Sequence, residues 1–163
     1  MQLILIRHGD AENAAVSDFD RRLTAKGREQ AARAGRFLRE AGLRPAVFLA
    51  SPYLRARETA AGILAELPGA WGLTVQETPE LGCGCAPQTL SEILENTPDA
   101  DRGVLAVGHQ PDCGEIVEYF CHGGQPAFKK CCIAVLELYE LRRGGGELRA
   151  FIPPELQLPT SEN

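Results

Sequence analysis

Residues 2–9, Gln2-Leu3-Ile4-Leu5-Ile6-Arg7-His8-Gly9, set the fold. The run QLILI is almost continuously apolar, as a strand covered on both faces must be, and it ends abruptly on arginine, histidine and glycine. The pattern recurs. Residues 46–50 (AVFLA) stop at Ser51-Pro52, and residues 103–107 (GVLAV) stop at Gly108-His109-Gln110-Pro111. Between these strands the period changes. Thr24 is a candidate N-cap, and Ala31, Ala34, Leu38 and Ala41 recur at helical spacing until Gly42. Ser51-Pro52 reads as a cap followed by proline at the first helical position, opening a helix that runs to about Glu66, before Pro68-Gly69.

Residues 73–77 (LTVQE) predict another strand, 88–96 a short helix, and Gln110-Pro111 the start of a helix reaching about Phe120. Residues 133–141 alternate more clearly and pair through Gly144-Gly145-Gly146 with 147–152, a hairpin at a sheet edge. Alternating strands and helices predict an α/β fold: a three-layer α/β/α sandwich whose central sheet is mostly parallel with an antiparallel edge. One domain is expected over residues 1–163, with the tail from about residue 153 extended or frayed.

The bulk properties exclude several functions. A net charge of −5 argues against broad nucleic-acid or acidic-membrane binding, though not against a small basic pocket. The apolar run after Met1 is too short for a signal-peptide core, and no stretch approaches the ~20 apolar residues of a membrane span. A cytoplasmic, reducing location is expected. There the six cysteines (Cys83, Cys85, Cys113, Cys121, Cys131 and Cys132) read as free thiols used as small hydrophobes. The sharper alternative is zinc, but Cys-x-Cys and Cys-Cys are not the paired Cys-x-x-Cys spacings of a structural site.

The chemistry stands at the strand ends. In open α/β sheets, ligands bind at the carboxyl ends of parallel strands. Three strands deliver Arg7, His8, Arg55 and His109 to one rim. Two arginines would repel a metal, whereas a phosphoryl group suits all four, and helix N–H groups after Ser51 and Gln110 add to the positive field. Arg55 in the first turn of a helix opposes the macrodipole at a cost of ~0.3–1 kcal/mol, a breach of local rules of the kind that gathers at functional sites. Arg57 reads as a solvated surface arginine and His122 as structural. An imidazole captures phosphorus when one ring nitrogen is unprotonated and the other is held by a hydrogen bond, and Gly9 permits close backbone approach beside His8.

Four ordered motifs carry a resemblance over roughly residues 1–155. These are Arg7-His8-Gly9, Leu23-Thr24 with Gly27, Ser51-Pro52 with Arg55 and Thr59, and Gly108-His109. Together they resemble the histidine phosphatase (phosphoglycerate-mutase-like) superfamily. Arg7-His8-Gly9-Asp10-Ala11, Arg21 before Leu23-Thr24, Ser51-Pro52-Tyr53-Leu54-Arg55-Ala56 and His109-x-Pro111 look like its small SixA-type phosphohistidine phosphatases. The resemblance implies a phosphoglycerate-mutase-like fold, His8 as nucleophile, and Arg7, Arg55 and His109 as catalytic partners. The implied phosphate- and substrate-binding set is Arg7, Gly9, Arg21, Arg55, His109 and Gln110. No metal and no organic cofactor is implied.

Two departures from the larger relatives matter. Their Trp-Asn pair is absent from residues 11–20 (AENAAVSDFD), and 163 residues leave little room for a lid, so the pocket is expected to be open to a phosphorylated protein side chain. The second departure concerns the general acid: Glu80 in the PELG turn is one candidate and Asp10 another. A phosphohistidine substrate relaxes the need for it, because an imidazole leaves more easily than an alkoxide. The expected partner is a histidine-containing phosphotransfer domain of a signalling system, with a small phosphate ester as the alternative substrate and a non-catalytic phosphoprotein-binding module as a third reading. A monomer or weak dimer is expected. No cysteine has arginine six positions later, and Asp18-Phe19-Asp20, which imitates an Asp-x-Asp phosphatase motif, falls in a polar loop.

Overall fold

The computed structural model describes residues 1–13 and 15–157. The strands are β1 (Gln2–Arg7), β2 (Val47–Ala50), β3 (Val75–Glu77), β4 (Val104–Gly108), β5 (Ile133–Leu138) and β6 (Gly146–Ile152). The helices are α1 (Ala25–Glu40), α2 (Leu54–Glu66), α3 (Pro87–Asn96) and α4 (Asp112–Cys121). Successive side chains of a strand point to opposite faces. Ile4 and Ile6 accordingly pack with Ala34 and Leu38 of α1 and Ala60 and Ile63 of α2. Leu3 and Leu5 pack with Leu90 and Leu94 of α3 and Ile116 and Phe120 of α4. Two cores on a shared sheet make the three layers. Each fully buried leucine or isoleucine contributes about 1.5–3 kcal/mol by leaving water.

The sheet order is β3-β2-β4-β1-β5-β6. The first four strands in that order are parallel, and the β5–β6 hairpin adds the antiparallel edge. The α/β/α expectation therefore holds. Boundaries differ where local chemistry intervenes. The second helix begins at Leu54 with Tyr53 as N-cap, because the Ser51 hydroxyl, read as a cap, lies 2.7 Å from His109 Nε2 instead. β3 shrinks to three residues, as an edge strand paired only with β2. The fourth helix opens at Asp112, after a cis Gln110–Pro111 bond.

The tail, expected to be extended or frayed from residue 153, instead turns through a 3-10 segment, Pro154–Leu156. Gln157 is buried there, its amide donating to Cys131 O at 2.7 Å. Residues 158–163 lie outside the described part. Among the described residues no helix is long and apolar enough to cross a membrane.

Candidate active site

Strand register brings the two histidines together. β1 and β4 run parallel with Arg7 opposite Gly108, so His8 and His109, the next residue of each, emerge side by side. Their ring centroids are 5.3 Å apart, and both are almost completely buried. His8 Nδ1 lies 2.7 Å from the carbonyl oxygen of Gly9. A carbonyl only accepts, so Nδ1 carries the proton and Nε2 keeps its lone pair. Arg55 Nε donates to that lone pair at 3.2 Å. Burial, then the neighbouring Lys130 cation, push the His8 pKa down to about 2, against a partial opposing effect of the Gly9 carbonyl. The result is a neutral, oriented imidazole with one nucleophilic nitrogen.

His109 faces a hydroxyl and not a carbonyl. Its Nε2 lies 2.7 Å from Ser51 Oγ, which also accepts the Tyr53 backbone N–H at 3.3 Å; with the hydroxyl proton turned to the ring, Nε2 accepts, as it does in His8. That leaves Nδ1 as the donor, buried and without a partner among the described residues. Arg7 Nε is likewise buried and partnerless, while its NH1 donates to Phe128 O at 2.6 Å. Buried polar atoms without partners are rare and call for a reason. Two of them here are N–H donors in one cluster, and the ligand class that answers them is an anion. Burial, followed by Arg55, lowers the His109 pKa to about 4.

Arg55 is buried at the start of α2, and its guanidinium reaches three groups besides His8. NH1 donates to Asp18 O at 2.6 Å, and NH2 to Asp18 Oδ2 at 3.0 Å and Cys83 Sγ at 3.3 Å. The Tyr53 ring lies 4.7 Å beneath it. Asp18 also binds Arg21 NH1 at 2.9 Å, which draws Arg21 to the edge of the cluster. These two arginines hold the Asp18 carboxyl below its ordinary pKa, Arg21 most strongly.

The glycines of the first two motifs exist for close packing. A Cβ on Gly9 would come within 2.8 Å of Gly27 O, and one on Gly27 within 2.0 Å of Asp10 O. Thr59 Oγ1 accepts the Gly9 N–H at 3.0 Å and donates to Arg55 O at 2.6 Å, tying the β1 exit to α2.

The structure therefore gathers Arg7, His8, Gly9, Arg55 and His109, with Arg21 joined through Asp18. The remaining candidates have other neighbours. Glu80 sits exposed on a 3-10 turn, Pro79–Leu81, in a surface cleft with Thr89, Glu92 and Asn96 of α3. Asp10 accepts the Thr24 hydroxyl at 2.7 Å. Gln110 lies along α4, its amide against Gly114. His122 caps the end of α4, exposed and packed on Gly144. The six cysteines are free thiols, and among the described residues no cluster of three or more His, Cys, Asp or Glu is placed to hold a metal.

Sequence reasoning missed Asp18, the tautomer-setting role of Ser51, and Lys130. Lys130 is half-buried, and desolvation plus Arg7 lower its pKa to about 8. Its signal was faint: a Lys-Lys pair in a turn before a buried strand, in a chain otherwise acidic.

Comparison with known proteins agrees with this geometry. The model of the histidine phosphatase superfamily (branch 1) matches residues 3–82. An uncharacterized protein of Picosynechococcus sp. is 34% identical over 163 residues, 99% of this chain and 96% of that one. The phosphohistidine phosphatase SixA of Escherichia coli is 31% identical over 147 residues, covering 88% of this chain and 89% of its own length. The solved structure of the protein histidine phosphatase SixA complexed with tungstate superposes with a TM-score of 0.84 at 29% identity, over 94% of this chain and 97% of that chain.

Proposed function

Because the chain belongs to the histidine phosphatase superfamily and is a phosphatase, we propose that it removes phosphoryl groups from phosphohistidine on a signalling phosphotransfer protein, through a phosphorylated His8. The observation that carries this reading is the state of His8: neutral, its Nδ1–H held by Gly9, and its Nε2 lone pair directed at the Arg55 guanidinium. In the first step Nε2 bonds to phosphorus as the phosphorus–nitrogen bond of the substrate breaks, and the departing imidazole takes its proton from solvent. In the second, water attacks phospho-His8, releasing inorganic phosphate and restoring the imidazole.

Arg7, Arg55 and the Nδ1–H of His109 stabilise the equatorial oxygens, which is positional and electrostatic work prepared before substrate arrives. Gly9 allows the backbone to approach, and Arg21 stands at the mouth. The named SixA relatives support phosphohistidine as the substrate class.

Rapid quenching into alkali should yield an acid-labile phosphoenzyme with wild-type protein and none with His8→Ala. That variant should lose at least ~10³-fold in turnover of an aryl phosphate, while Arg55→Ala raises KM. Near-normal turnover by the position-8 variant would rule out the covalent route. Comparing rates on a phosphohistidine protein and on a phosphosugar decides the substrate class, and a preference for the sugar overturns the first.

A further inference from the structure

Beside the histidine cluster lies a cleft of about 400 Å³, lined among others by Lys26, Gln30 and Arg33 of α1 and by Lys129, Lys130 and Glu155. It adjoins the active site through the backbone. Cys131 N donates to Arg7 O at 3.0 Å and to His8 O at 3.3 Å, so the turn bearing Lys130 is fastened to the nucleophile's own strand end. Gln30 Oε1, in the cleft wall, accepts the Asp10 N–H at 2.9 Å.

The charges in this cleft are unbalanced. Lys129 is paired with Glu155 at 2.8 Å, and the Glu29 carboxylate is engaged by Arg36 at 3.0 Å. Lys26, Arg33 and Lys130 have no carboxylate within 4.0 Å among the described residues. Three cations without an ion-pair partner share one depression on a chain whose net charge is −5, with Asp10 the more distant carboxylate felt by Lys130 and Glu155 that near Lys26. Lys26 also stands in the first turn of α1, which contains no acidic residue, and there it opposes the helix macrodipole. Side chains placed against local preference gather at functional sites.

We propose that Lys26, Arg33 and Lys130 form a docking surface for a carboxylate-rich segment of the phosphorylated protein, next to the phosphoryl group presented to His8. The inference rests on the phosphohistidine-protein reading and adds a determinant of which proteins are accepted. The phosphoryl group is answered by Arg7, Arg55 and His109. The cleft cations are left for negative charge elsewhere on the same substrate, and an extended acidic segment supplies it along a groove. Complementary charge of this kind raises the association rate and discriminates between partners.

The test uses two synthetic peptides that carry phosphohistidine, one flanked by four glutamates and the other by four glutamines. The readout is the ratio of their kcat/KM values. Wild type should prefer the acidic peptide at least tenfold at low ionic strength, chiefly through KM, and the preference should vanish in high salt. The double variant Lys26→Glu with Arg33→Glu should bring the ratio to one or below. Because a ratio is read, partial loss of folded protein does not affect it. A wild-type ratio of one, or a variant that keeps the preference, overturns the docking surface alone. Failure of wild type on both peptides while it still cleaves an aryl phosphate overturns the phosphohistidine reading, and the docking surface with it.

Discussion

Replacing Gly27 by alanine should damage catalysis through a residue that touches no substrate. The new Cβ would sit 2.0 Å from the Asp10 carbonyl oxygen, where ordinary contact begins at 3.4 Å, so α1 and the loop after β1 must separate by more than 1 Å. The obstacle is backbone and cannot rotate away. The same two segments are joined by the Thr24 N–H to Asp10 O at 3.0 Å and by the Thr24 hydroxyl to the Asp10 carboxylate at 2.7 Å, and both bonds stretch together. Helix propensity favours alanine over glycine by up to ~1 kcal/mol. Overpacking against fixed backbone costs ~1–3 kcal/mol and lies at the upper end here. A net loss of about 2 kcal/mol lowers Tm by roughly 4–8 °C for a chain of this size. The effect on rate is larger. Gly9, whose carbonyl orients His8, packs directly on Gly27, and a displacement of ~1 Å at a reacting group costs on the order of 10²-fold. Thermal melting followed by circular dichroism and kcat on an aryl phosphate at 25 °C measure both. A folded variant with wild-type kcat would show that the Gly9 carbonyl does not position the nucleophile.

Asp18→Asn should tighten inhibition by orthophosphate or vanadate by about fivefold, the equivalent of ~1 kcal/mol for a largely exposed carboxylate. The backbone carbonyl of residue 18 keeps its grip on Arg55 NH1, while NH2 loses its competing anion; weaker inhibition would mean that the carboxylate positions Arg55 and does not compete. Stability should fall as pH drops from about 6.5 toward 4. Both buried imidazoles resist protonation in the folded chain, at about 2 for His8 and about 4 for His109, while the unfolded chain takes up those protons near 6.5. The contribution is complete above pH 6.5 and is lost on acidification at up to the order of 1 kcal/mol per histidine per pH unit. Urea midpoints against pH should be steeper for wild type than for the variant His8→Gln with His109→Gln, and identical slopes would refute the argument.

The architecture was legible because QLILI and GVLAV are apolar on both faces, as strands covered by helices on both sides of a sheet are. Three motifs followed directly, since whatever stands at the end of a parallel strand stands at the site. Tertiary partners were not legible. Ser51-Pro52 has the local grammar of a helix start, but a buried histidine 58 positions away takes the hydroxyl, and the helix begins later. Asp18 lay in an unpatterned polar loop, and its role depends on Arg55 being 37 positions away in sequence and 3.0 Å away in space. Lys130 is equally invisible until the turn at Cys131 is fastened to β1. Glu80, chosen for its place in the chain order, lies exposed on a 3-10 turn.

The carboxylates near the site bear on which bond this arrangement can break. Cleavage of an alkyl ester needs an acid able to protonate the departing oxygen. Asp10 is held by the Thr24 hydroxyl, and Asp18 is ionised between two guanidinium groups that disfavour its protonated form. Asp112 accepts the N–H groups of Gly84 and Cys85 at 2.9 and 3.3 Å, securing the loop that brings Cys83 to Arg55, and Glu80 faces α3. Asp10, Asp18 and Asp112 thus have structural or electrostatic work that a proton-donating role would interrupt. What the cluster offers among the described residues is a neutral nucleophile set amid fixed positive donors, which lowers the cost of charge on phosphorus. That arrangement suits a leaving group that departs well unaided, and the imidazole of a phosphohistidine is such a group.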